Sequence, residues 1–148
     1  MTAVAARTVT ITLPLPPSAV SPNTRAHWRA RSYAARQYRE LAHYAAFAVR
    51  VQMGHIRFQR ADVRIAYTVC LANPIGISGR ARPRDLDNAQ SCMKSGLDGA
   101  LVDSGLLPDD SARHVLSLTT TLARHGRRDC RPGCPGSGVV ITVDESLP

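Results

Sequence analysis

Apolar and polar positions alternate without a break over Thr8-Val9-Thr10-Ile11-Thr12-Leu13, and the run stops at Pro14, Pro16 and Pro17. A period of two sends successive side chains to opposite faces, so this segment reads as a strand with one face buried. The same period returns from Asp62 to Leu71, where Val63, Ile65, Tyr67, Val69 and Leu71 point one way and Arg64, Ala66, Thr68 and Cys70 the other. Between the two strands the period changes. Tyr38, Leu41, Ala45 and Ala48 recur at helical spacing and predict a helix from about Tyr33 to Val51, ended by Gly54. The stretch from Ser18 to Arg31, polar and basic and holding the only tryptophan, reads as a connection.

A second helix is predicted from about Ala89 to Val102. Met93, Leu97, Ala100 and Leu101 face inward, Asp87 or Asn88 serves as N-cap, and Gly105 is the C-terminal stop. Val115 to Leu122 then reads as a strand with Val139 to Val143 as its hairpin partner, and segment 124–138 between them, rich in glycine and arginine, reads as a flexible loop. The order β-α-β-α-β-β predicts an α+β fold, a small mixed sheet of about four strands with two helices packed on one face. At 148 residues the chain, 1–148, suits one domain.

Charge changes the picture. A formal net charge of +8 favours an acidic partner, nucleic acid first. No stretch approaches the roughly 18 to 20 apolar residues of a membrane span, and Met1 to Arg7 carries no secretory pattern, so no membrane partner and a cytoplasmic location are expected. The four cysteines then stay reduced, with Cys70 and Cys92 read as small buried side chains.

The acids are not spread like the bases. Six of the eleven, Asp85, Asp87, Asp98, Asp103, Asp109 and Asp110, fall in one window, and the only lysine, Lys94, lies among them in a chain whose other cations are all arginine. In an extended segment residues two apart point the same way, so Asp85 and Asp87 can converge on one cation, with Asp109 or Asp110 as third ligand. Magnesium takes such oxygens together with water and substrate phosphate. Lys94, seven residues after Asp87, lies on nearly the same helix face. Taken singly, each feature also has a plain reading: a helix cap, a turn aspartate, or a Lys94–Asp98 pair at i+4.

Together these stretches resemble the RusA-type Holliday junction resolvases, which are frequent in prophages and bacteriophages. The resemblance is carried by Ile11-Thr12-Leu13-Pro14-Leu15-Pro16-Pro17-Ser18, by Arg84-Asp85-Leu86-Asp87-Asn88, and by the run from Leu97 through Asp98-Gly99 to Leu107-Pro108-Asp109-Asp110. It implies metal-binding catalytic carboxylates at Asp85, Asp87 and Asp110, with Asp109 as a neighbour, and a catalytic lysine. The family's lysine commonly falls where Ser91 stands here, and Lys94, one turn later, is the available substitute. It further implies a homodimer that nicks two strands of a four-way DNA junction symmetrically with magnesium or manganese. Arg25, His27, Trp28, Arg29, Arg31, Arg80, Arg82 and Arg84 are then the expected DNA contacts, with Trp28 either stacking on an exposed base or half-buried as an anchor of its loop.

His114, His125, Cys130 and Cys134 include thiolate and imidazole donors suited to zinc. Their spacing is loose, with Cys130 and Cys134 the only tight pair, so an arginine-rich loop that touches DNA or is left disordered is preferred over a zinc site. Two other functions compete with the nuclease: a branched-DNA-binding module of the same fold that does not cut, and a phage adaptor that works through protein contacts.

Overall fold

The computed structural model describes residues 6–70, 86–125 and 136–147. Strand β1 (Thr8–Leu13) leads through a short 3-10 turn into helix α1 (Trp28–Gln52) and strand β2 (Ala61–Cys70). The second helical region follows in three pieces: α2 (Leu86–Cys92), α3 (Lys94–Leu97) and a π-helical segment (Asp98–Asp103). Strands β3 (Val115–His125) and β4 (Gly138–Glu145) complete a four-stranded mixed sheet of order β1-β4-β2-β3. The α+β class expected from the alternating periods is the class observed.

Register explains the core. Val9, Val143, Val63 and Leu118 lie in one row across the four strands, Ile11, Ile141, Ile65 and Thr120 in the next, and Leu13, Val139, Tyr67 and Leu122 in the third. Because paired residues share a face, these rows form one surface. Tyr38, Ala42 and Ala46 of α1 and Ala89, Met93, Leu97 and Leu101 of the second helical region join it in one buried cluster. The opposite face carries Thr10, Arg64 and Thr119, all exposed.

Five expectations are corrected. Val139 to Val143 is not the hairpin partner of β3: β4 enters between β1 and β2, antiparallel to both, and β3 pairs in parallel with the outer edge of β2. Strand β4 has apolar residues at every second position and is flanked on both sides, so it belongs at the sheet centre, whereas β3, with Leu116 and Leu118 partly exposed, suits an edge. Strand β3 also runs on to His125, into the segment expected as loop.

Helix α1 begins at Trp28, well before Tyr33, because His27 caps it: its Nδ1 accepts the Arg29 N–H at 3.3 Å. The buried stripe of α1 is Tyr38, Ala42, Ala46 and Arg50, while Leu41 and Ala48 face outward. Small residues win there because the second helical region crosses closely: a Cβ on Gly99 would collide with the carbonyl of Arg39, and one on Gly96 would stand 2.7 Å from the Tyr38 ring. Lastly, α2 starts at Leu86, so Asp87 and Asn88 lie in its first turn rather than at its N-cap. Gly54 and Gly105 end their helices as expected, with φ of 73° and 76°.

Candidate functional site

Helix α3 begins at Lys94, and the turn that approaches β3 carries Asp109 and Asp110. These two regions meet. Lys94 Nζ donates to Asp110 Oδ2 at 2.6 Å and to Asp98 Oδ1 at 2.8 Å, so two carboxylates twelve positions apart converge on one ammonium. The plain i+4 pairing of Lys94 with Asp98 is therefore present, and a second, long-range partner is added to it.

The electrostatics follow from these contacts. The hydrogen bonds to Asp110 and Asp98 hold the Lys94 proton more tightly than usual, and the same ammonium keeps the Asp110 carboxyl below the ordinary carboxylate range. Lys94 is thus a fixed cation at neutral pH, suited to stabilising anionic charge and not to accepting a proton. Asp109 plays a different part. Its Oδ1 accepts the Ser111 N–H at 2.8 Å, an aspartate turn, and the Ser111 bonds lower its pKa. His114 is bound locally too, with Nδ1 2.7 Å from the Gln59 carbonyl and Nε2 3.6 Å from Asp109.

Two clefts flank Lys94. One, of about 370 Å³, is lined by Gln90, Ser91, Lys94, Leu97 and Leu118. The other, of about 330 Å³, lies between α1 and the second helical region, and Arg31, Ser32 and Ala35 face Ser91, Lys94, Ser95 and Asp98 across it. Arg31 and Lys94 therefore share one concave surface, which sequence spacing did not reveal because they belong to different helices.

The α1 wall of this cleft continues into a cationic helix start. Arg25, His27, Trp28, Arg29 and Arg31 are all exposed, and no acidic residue occupies the first turn of α1. Positive side chains at the positive end of a helix lack internal compensation, which favours an anionic partner. Trp28 is 66% exposed, so it is not the half-buried anchor; its ring has the Arg29 guanidinium at 5.3 Å and the His27 ring at 5.7 Å.

Strands β2 and β3 are neighbours and run in parallel, so Val115 stands opposite Ala61 and not Cys70. Asp110 consequently approaches the middle of the second helical region, at Lys94. Asp85, Arg80, Arg82 and Arg84 lie outside the described residues, as do Cys130 and Cys134 and the side chains of Asp87 and His125. Among the described residues no three His, Cys, Asp or Glu side chains gather closely enough to hold a metal ion. Asp98 was not among the expected site residues; its i+4 spacing from Lys94 was the available signal. The scan against protein-family models and the search of curated proteins both returned no match for this chain.

Proposed function

We propose that this protein is a RusA-type structure-selective endodeoxyribonuclease, which resolves four-way DNA junctions by metal-dependent phosphodiester hydrolysis. One observation carries the reading: the sole lysine and the second aspartate of the Asp-Asp pair, sixteen positions apart, meet at 2.6 Å beside a cleft that an arginine of α1 also lines. That pairing joins residues that the family resemblance assigns separately to catalysis. Branched DNA supplies phosphates for the exposed arginines and an unstacked base for Trp28.

The donor chemistry fits a hard divalent cation. Asp110 is ionised, 55% exposed and already holds a cation at one oxygen. Asp85, Asp87 and Asp110 would hold magnesium or manganese, which when bound activates water and neutralises phosphate charge. Lys94 holds its proton and offers fixed positive charge to a phosphate oxygen in the cleft. Arg31, on the opposite wall, orients the same strand, while Arg25 and Arg29 contact flanking phosphates. A homodimer would present two such sites to the two equivalent strands of a junction. The cytoplasm suits the buried thiols of Cys70 and Cys92.

The test is a synthetic four-way junction incubated with magnesium, with and without chelator, for wild type, Asp87→Asn and Asp110→Asn. The expected result is paired symmetric nicks by wild type alone, abolished by chelator, with junction binding kept by both variants. Binding without nicking by wild type would make the protein a branched-DNA-binding module, and no affinity at low salt would point to an adaptor. Nicking by Asp110→Asn at the wild-type rate would remove that carboxylate from the site.

A further inference from the structure

Lys94 is 66% exposed and Asp110 55%, but Asp98, which holds the other side of the ammonium, is only 20% exposed. Asp98 opens the π-helical segment, whose wider turn is marked by the Ser104 N–H bonding the Gly99 carbonyl five residues back. The same segment carries Asp103, and both aspartates address one guanidinium. Arg39 of α1 forks onto Asp103 at 2.5 and 2.7 Å, and its Nη1 lies 3.9 Å from Asp98 Oδ2. Gly99, pressed against the Arg39 backbone, sets the helix crossing that makes this reach short.

An ordinary surface pair would not need this. Lysine placed before an acid at i+4 is the less favourable order on a helix, so the Lys94–Asp98 pair is poorly suited to helix stabilisation alone. Its oxygens are instead divided between the lysine and a second helix, and the lysine is divided between Asp98 and the turn before β3. The result is a charge relay in space, Arg39 to Asp98 to Lys94 to Asp110, which ties three separate elements together.

We infer that Asp98 is a positioning residue, which holds the Lys94 ammonium beside Asp110 and is itself oriented by Arg39. The role within the reaction rests on the nuclease reading; the placement of the ammonium does not. Without Asp98 the long lysine stem keeps one exposed partner and regains its rotamers.

Because the chain has one lysine, lysine labelled with carbon-13 and nitrogen-15 gives a single side-chain ammonium signal. Full-length wild type, Asp98→Asn and Asp98→Glu are compared at matched thermal stability. Motional restriction of the Lys94 Cε and Nζ is expected to be lost in Asp98→Asn and largely restored in Asp98→Glu. On the junction with magnesium, kcat is expected to fall on the order of 100-fold in Asp98→Asn, the scale of a misplacement of about 1 Å, with KM nearly unchanged and Asp98→Glu partly rescued. Equal restriction of Lys94 in wild type and Asp98→Asn overturns the proposal, as does a freed lysine with undiminished kcat. If wild type does not cut at all, the nuclease reading fails, and the labelled lysine alone decides whether Asp98 places it.

Discussion

Arg50 Nη1 donates to the Ser104 carbonyl oxygen at 2.6 Å, joining the last turn of α1 to the end of the π-helical segment. The same side chain donates from Nε to the Ile56 carbonyl at 2.8 Å and is only 6% exposed. A buried guanidinium is costly in general, and here the Ile56 carbonyl and the Ser104 carbonyl, the latter at the C-terminus of the π-helical segment where the dipole is negative, offset the cost. Gly105 beside it leaves room: a Cβ there would stand 3.1 Å from Nη1.

Arg50→Met should therefore destabilise the protein by roughly 2–4 kcal/mol, since two buried carbonyls lose their donor while the apolar stem is kept. Urea unfolding measures it. A loss below about 0.5 kcal/mol would show that water reaches both carbonyls.

Thr120 gives the opposite expectation. It occupies a core row beside Ile65, and its buried hydroxyl has no hydrogen-bond partner among the described residues. Thr120→Val keeps the shape and removes an unpaired polar atom, so stability should rise by about 1 kcal/mol. A thermal melt would register this as an increase of a few degrees, and an unchanged or lower midpoint would mean that the hydroxyl is satisfied in solution.

Acid sensitivity should come from carboxylates held below their ordinary range, Asp109 and Asp110 of the site and three others. Arg39 lowers Asp103; Thr8 and then Arg64 lower Asp144; Arg7 lowers Glu145. A depressed folded-state pKa contributes stability that is complete above the unfolded value and is lost as pH falls through the folded one. Melting temperature should thus be flat from pH 7 to about 5 and fall below about pH 4. Arg39→Gln should shrink the acid-side fall by lowering the neutral limb toward an unchanged acid limit, and a fall centred near pH 6 would implicate histidine instead.

What sequence alone disclosed follows from the range of each signal. The alternation in β2 was legible because each residue reports its own face, and the ends of both helices were legible because Gly54 and Gly105 take a left-handed backbone. The buried stripe of α1 was misplaced because Ala42 and Ala46 are chosen by the nearness of another helix, which leaves larger Leu41 outside. The insertion of β4 was hidden because adjacency along the chain favours a hairpin, while the deciding contacts are with β1, far away in sequence. At the site, Lys94–Asp98 could be read from local spacing, but Lys94–Asp110 and the cleft shared with Arg31 depend on how separate elements pack.

The central place of β4 has a consequence for synthesis. Until β4 has emerged from the ribosome, β1 and β2 keep their inner flanks unmatched, since each depends on it for its antiparallel neighbour. The nascent polypeptide can lay down α1 and assemble β2 beside β3, but the sheet closes only when Gly138–Glu145 is free to slot in. An early stop codon ahead of Val139 would leave β1 unpaired and the inner edge of β2 exposed, both of which invite aggregation.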